Sequence, residues 1–267
     1  MPLTVTFDTN ALNDVLSVSP ETSQRGATGH MLGTKVRAAI EAGCIQGFFC
    51  ETLVTLEGIQ RKERGDVLGS TRLESRTACT GENTIQISID VVQDRKPLDL
   101  EFSEMVRGAK SLGLRALRAP ARIGWVRILD EDGTFFAPDA CMPELLERMD
   151  KVNEMATAIA VRGLGHAKAV ELGRKFADCD NASNPELWLK GLLRASRRQV
   201  KLALNEWADG DSVAAYYGHG IAFFCSEDSG RNSPGASVLD SDNRKWFSDT
   251  YGIRFVTLAD LAEMVTA

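Results

Sequence analysis

Histidine is scarce in this chain and its cysteines lack a metal-binding pattern. Only His30, His166 and His219 are available as imidazole ligands, and none of Cys44, Cys50, Cys79, Cys141, Cys179 and Cys225 stands in a C-x-x-C pair. That argues against a zinc site and for buried thiols. No apolar run approaches the ~20 residues of a membrane span, and the few residues before Asp8 carry no basic region leading into a signal core. The sequence therefore predicts a cytoplasmic protein with no membrane partner. Repeats, low-complexity tracts and a proline-rich linker are also missing, so nothing divides the chain into independent domains. Excess positive charge is missing too. A net charge of -6 argues against a protein that coats nucleic acid broadly, while leaving room for a local basic track beside an acidic cleft.

What is present is an ordinary globular composition, 43% hydrophobic and 25% charged over 267 residues, with two apolar runs that end on acids. One is Leu3-Thr4-Val5-Thr6-Phe7-Asp8-Thr9-Asn10; the other is Ile221-Ala222-Phe223-Phe224-Cys225-Ser226-Glu227-Asp228. Continuous apolar runs read as buried parallel strands, and ligands of open α/β sheets bind outside the strands' carboxyl ends. Acids placed there converge and repel. A hard divalent cation, Mg²⁺ or Mn²⁺, relieves that repulsion with oxygen ligands alone.

After the first strand, Pro20, Ser23, Gly26 and Gly29 predict a break before a helix from His30 to Ala42, closed by Gly43. Ile45 to Cys50 reads as a second strand, and Leu53, Leu56, Ile59 and Gln60 as an amphipathic helix. Between residues 65 and 143 the pattern changes. Thr84 to Val91 alternates as a half-exposed strand would, and Arg107, Lys110, Arg115, Arg118 and Arg122 follow in a stretch broken by Gly113, Pro120 and Gly124. The region reads as an inserted β-containing segment of unassigned role, its basic stretch being either an arm or a solvated face. Pro143 to Val161 is helical in period, as is Leu187 to Trp207, on which Lys190, Arg194, Arg197 and Lys201 would share one face.

Four acids carry a family resemblance. Asp-Thr-Asn after the first strand, Glu57 in an early helix, Asp211-x-x-x-Ala before a Gly, and Ser226-x-Asp228 after a late strand together resemble the PIN domain. The resemblance covers Leu3–Arg64 and about Gln199–Glu263 and leaves out the centre. It implies a single PIN-like domain over residues 1–267, a three-layer α/β/α fold with a central parallel sheet, with 65–143 inserted. It also implies a metal-dependent endoribonuclease, whose substrate is RNA and in which Asp8, Glu57, Asp211 and Asp228 hold Mg²⁺ or Mn²⁺ and a metal-activated water hydrolyses the phosphodiester. Asn10 and Ser226 match accompanying polar positions, Asn10 reading equally as a helix N-cap. Glu51 competes with Glu57, and Asp209 with Asp211. Asp211 is preferred because it stands where a helix could begin, ahead of Val213-Ala214-Ala215, while Asp209-Gly210 looks like a turn.

On this reading Lys190, Arg194, Arg197 and Lys201 are candidate contacts to the substrate backbone, weighed against a solvated helix face. The resemblance also admits a homodimer, a toxin or defence role, and an antitoxin or other regulatory partner. Two rivals stand beside it. One is a small-molecule phosphatase using Asp8 as nucleophile, which Asn10 disfavours by replacing the second acid of the Asp-x-Asp pattern. The other is a non-catalytic RNA-binding or protein-interaction module on the same fold.

Overall fold

The apolar runs become a five-stranded sheet. The computed structural model describes residues 2–81, 84–94, 97, 99–122, 128, 130–139, 141–177, 185–228, 230 and 237–265. Strands β1 (Leu3–Phe7), β2 (Ile45–Cys50), β5 (Arg115–Leu117), β6 (Phe223–Cys225) and β7 (Phe255–Val256) are all parallel, in the order β5-β2-β1-β6-β7. The chain starts at the centre, runs outward through β2 to β5, then returns to place β6 on the other side of β1. The order therefore reverses between β1 and β6, where Phe7 lies opposite Cys225. That is the switch point at which an open α/β sheet opens a crevice.

Helices cover both faces. On one lie α1 (Thr9–Leu16), α2 (Gly26–Glu41), α4 (Leu100–Ser111) and α10 (Leu258–Met264), around a core including Val5, Leu12, Val36, Phe49 and Leu261. On the other, α5 (Met142–Val161), α8 (Arg197–Gly218) and α9 (Ser241–Tyr251) enclose Met155, Val213, Phe224 and Phe247. A further apolar cluster, including Leu68, Trp188, Leu204 and Trp207, joins α3 (Arg64–Gly69), α6 (His166–Phe176) and α7 (Pro185–Leu192) to the first half of α8. Among the described residues no helix is long and apolar enough to cross a membrane.

Several local expectations change. Helix α2 begins at Gly26, ahead of His30, and the glycine expected to break it serves close packing instead: a Cβ at Gly29 would run into the side chains of Ser23 and Asp14. The Leu53–Gln60 helix is a single π-helical turn, Leu53–Glu57. The long helix expected over Leu187–Trp207 is broken into α7 and α8, with Ser196 as N-cap of the second. Ser196 Oγ accepts from Gln199 N at 3.3 Å and Gln199 Oε1 accepts from Ser196 N at 3.2 Å, a capping box. Lys190, Arg194, Arg197 and Lys201 thus fall on two helices and the turn between them rather than on one face. Helix α8 then continues to Gly218, so Asp209-Gly210 is no turn and Asp211 is no helix start.

The segment 65–143 is also not a single insertion. Its β5 is the sheet's edge strand, and α4 packs into the core through Met105 and Ala109. Only the hairpin β3 (Arg72–Gly81) and β4 (Thr84–Val92) forms a separate two-stranded antiparallel sheet. Nor is the basic stretch an arm: Arg107 and Lys110 lie on α4, Arg115 on β5, and Arg122 pairs with Asp211; Gly124 lies outside the described residues.

Candidate active-site cleft

Strand β1 ends one residue before Asp8, whose extended backbone lets it act as the N-cap of α1. Its Oδ1 accepts from Thr9 N at 2.8 Å. Its Oδ2 accepts from Ser226 Oγ at 3.0 Å, and the same hydroxyl accepts from Asp228 N at 3.2 Å. One serine therefore ties together the carboxyl ends of β1 and β6. Asp228 Oδ1 in turn accepts from Gly230 N at 2.8 Å, and its carbonyl accepts from Arg244 Nη2. Asn10 lies inside α1, since Asp8 holds the N-cap, and lines the same cleft.

Glu57 reaches the cleft from the π-helical turn, a helical irregularity found often at functional sites. Thr9 Oγ1 donates to Glu57 Oε2 at 2.7 Å. The turn is clamped by buried Arg64, which donates to the carbonyls of Glu57 at 2.7 Å and Ile59 at 3.0 Å, and to Asn205 Oδ1 at 3.2 Å on α8. Burial pushes the Glu57 carboxyl up to about 7; the Asp8 charge adds to this, while Thr9, Arg64 and Arg61 oppose it. Asp8 is likewise raised by burial, with Ser226 and Thr9 opposing.

The fourth acid is Asp209. It lines the cleft with Asp8, Glu57 and Asp228, and it accepts no hydrogen bond and forms no ion pair among the described residues. Burial raises its carboxyl far above the ordinary value, and the charges of Asp8, Glu206, Glu57 and Asp228 all push the same way. The four charges acting most strongly on Asp209 are all acids.

Asp211, preferred from the sequence, is placed elsewhere. Arg122 grips it bidentately, Nη2 to Oδ1 at 2.7 Å and Nε to Oδ2 at 3.3 Å, and Trp207 Nε1 donates to Oδ2 at 2.7 Å. Its side chain is 1% exposed and does not line the cleft. The structure thus puts Asp209 in the position foreseen for Asp211, because α8 is continuous and residues two apart face opposite sides. Glu51, the alternative to Glu57, sits on the Asp211 side. Its Oε1 accepts from Ala119 N at 2.7 Å, and burial raises it to about 7.

The cleft encloses about 610 Å³, the size of a typical ligand site. A fifth acid, Glu206, lies one turn before Asp209 and accepts from Val238 N at 2.9 Å. Its i, i+3 spacing to Asp209 was a readable signal, as was Thr9 within Asp-Thr-Asn. Four cations, Arg61, Arg64, Lys168 and Lys175, also line the cleft, whereas none of Lys190, Arg194, Arg197 and Lys201 does. Arg194 instead donates to the Phe176 carbonyl at 3.3 Å.

Among the described residues, no three carboxylate, thiol or imidazole groups are already drawn together closely enough to close around a metal ion. The donor chemistry nonetheless suits a hard cation: the groups are all oxygen acids, Asp209 has no partner of its own, and mutual repulsion would fall on its arrival. Open spacing suits Mg²⁺-like ions, which keep several waters and take few protein ligands. Fold and cleft together define a doubly wound α/β protein with an acidic site at its switch point. No protein-family model matches the chain, and no curated protein matches its sequence.

Proposed function

We propose that this chain is a metal-dependent endoribonuclease on a PIN-like fold, acting in the cytoplasm, with Asp8, Glu57, Asp209 and Asp228 as its acidic centre. One observation carries the reading: Asp209 is half-buried in the crevice at the β1/β6 switch point, and the strongest charges around it are the carboxylates of Asp8, Glu57, Asp228 and Glu206. Such an arrangement disfavours its own ionised state, and only a bound cation makes it stable near neutral pH. Mg²⁺ or Mn²⁺, when bound, would supply a water acidic enough to attack a phosphodiester and charge to stabilise the developing oxyanions.

The chain's own residues hold that centre in place. Ser226 and Thr9 fix both oxygens of Asp8, so its carboxylate cannot rotate away. Thr9 also holds Glu57, joining the two acids through one residue. Gly230 N fixes Asp228, while Arg64 keeps the π-helical turn against α8. Asn10 presents an amide to the cleft that can orient a water or a phosphate oxygen. No histidine lines the cleft among its described residues, so proton transfer falls to carboxylates and water.

The test is cleavage of a mixed panel of structured and unpaired RNAs with Mn²⁺, with Mg²⁺ and with EDTA, comparing the wild type with Asp8→Asn and Asp209→Asn. Metal-dependent cleavage lost in both variants is expected. Failure of the folded wild type to cleave any RNA, together with no thermal shift on adding Mn²⁺, would refute the reading and favour a binding module.

A further inference from the structure

We propose that Lys168 and Lys175 of α6, with Arg61 following the π-helical turn, seat the phosphates of an unpaired polynucleotide strand as it crosses the acidic centre. This rests on the nuclease reading and names how that site takes its substrate.

These three share the cleft with the acids, and among the described residues none of them makes a side-chain hydrogen bond or ion pair, whereas the fourth cation of the lining, Arg64, is committed to the carbonyls of Glu57 and Ile59. Other arginines already have partners in the fold: Arg122 is held by Asp211, and Arg25 by Asp14 and Glu227. Arg61 and Lys168 act on the cleft acids only through space. Arg61 opposes the burial-driven rise of Glu57, and Lys168 that of Glu206. Arg61 and Lys168 are thus near enough to meet a phosphate bound beside the acids, and Lys175 lines the same cleft.

Helix geometry adds spacing. Lys168 and Lys175 are seven residues apart, so they project from one face about 10 Å apart along the axis. That separation lets the two ammonium groups meet different phosphates of one strand. Glu171 lies between them on the same face and splits the charge into two separate points. The face is held rigidly, because a Cβ at Gly173 would strike the Trp188 carbonyl and one at Gly191 would strike the Gly173 carbonyl. Rings reinforce this: His166, at the start of α6, meets Trp207 edge-on at 4.6 Å.

Apolar groups face the same space. Leu172 of α6, Phe102 of α4 and Leu202 of α8 line the cleft, and Leu202 is 53% exposed. Unstacked bases offer faces to such groups, whereas a duplex hides them inside the stack. A cleft of about 610 Å³ between α4 and α6 also has room for a few nucleotides and not for two paired strands.

The experiment measures binding without turnover: fluorescence anisotropy of a labelled eight-nucleotide oligo(U) in EDTA, at several salt concentrations, against a blunt duplex of equal length. The proteins are the wild type, Lys168→Gln/Lys175→Gln, Lys168→Arg/Lys175→Arg, and Lys151→Gln as control, since Lys151 pairs with Glu147 on α5 outside the cleft. With ~0.7 of slope per phosphate on single strands, the Gln pair should flatten the plot of log affinity against log salt by about 1.4 and weaken binding about tenfold. The Arg pair and the control should match the wild type, and the duplex should bind more weakly than the strand. An unchanged salt slope in the Gln pair, or duplex binding as tight as the strand, would overturn the proposal. Failures separate cleanly. Metal-dependent cleavage with an unchanged slope removes the track alone; a passing track with no cleavage in any metal removes the nuclease reading alone.

Discussion

Asp209 and Asp211 stand about 200° apart around one helix and meet opposite surroundings. Asp211 has a guanidinium across both its oxygens and an indole N–H on one of them. Asp209, on the cleft side, has four acids and no partner among the described residues. Asp211 is buried and Asp209 half-buried, and loss of solvation raises both carboxyls. Around Asp211, Arg122 and Trp207 oppose that rise; around Asp209, the four strongest charges all add to it. The difference teaches that burial alone does not mark a functional acid. A carboxylate whose counter-charge is built into the fold is structural, and one whose neighbours share its sign is arranged for a charge that arrives from outside.

The sharpest way to break this comparison is to neutralise each acid in turn. Asp209→Asn should lower metal-dependent cleavage by about two to three orders of magnitude, the scale on which one electrostatic contributor at a reacting centre counts. It should also raise the melting temperature of the metal-free protein, because the amide removes a repelled buried charge. Asp211→Asn should do the reverse. Arg122, 17% exposed in its side chain, would lose its buried partner, costing about 3 kcal/mol of stability, while cleavage per folded molecule persists. Thermal melts and single-turnover cleavage of the two variants decide it. Loss of activity in stable Asp211→Asn, with Asp209→Asn still active, would invert the assignment.

How far the site could be read from the sequence follows from the same helix. Asp8, Glu57 and Asp228 were legible because each sits next to a local signal: the end of an apolar strand, or a strand-to-helix step. Asp209 was not, because the decision turned on whether Asp209-Gly210 makes a turn. Glycine costs about 1 kcal/mol within a helix, which favours a break. Tertiary packing overrides that cost: a Cβ at Gly210 would press on Gly165 Cα at 2.9 Å, so only glycine lets α8 pass that loop. Ser196 is the opposite case: Ser-x-x-Gln announces a helix start, yet the apolar period on either side suggests one continuous helix. The sheet is more legible, since β1, β2 and β6 are largely apolar runs, whereas β5 spans only three residues in a basic stretch and carries no strand signal of its own.

Titration extends the comparison to pH. Glu57 moves from an ordinary 4.5 to about 7, and Glu51 on the Asp211 side does the same. Between those values the folded chain holds protons that the unfolded chain has released. Unfolding then releases protons, and stability falls as pH rises, by up to about 1.4 kcal/mol per pH unit for each group. Melting temperatures of the metal-free protein should therefore decline from about pH 5 to about pH 7 and level off above. Glu57→Gln and Glu51→Gln should each flatten the decline. They part company on adding Mn²⁺: its stabilisation at pH 8 should shrink in Glu57→Gln and persist in Glu51→Gln. Saturating metal at about 100 times its Kd would contribute about 2.7 kcal/mol. Equal metal response in the two variants would erase the distinction between the two sides of α8.

The smallest effect sharpens how the cleft acids are held. Thr9 is the single residue that bonds both Asp8, through its N–H, and Glu57, through its hydroxyl at 2.7 Å. Thr9→Ser keeps the hydroxyl and should leave stability and cleavage close to wild type. Thr9→Val keeps the shape and removes the donor, at a cost of about 1 kcal/mol. Because that hydroxyl opposes the rise of the Glu57 carboxyl, its removal should push Glu57 further up and shift the alkaline-going limb of the cleavage profile to higher pH. A structural role for Thr9 alone would lower the melting temperature and leave the profile where it is. A shifted limb in Thr9→Val that returns in Thr9→Ser would show that the first turn of α1 sets the charge state of an acid 48 residues away.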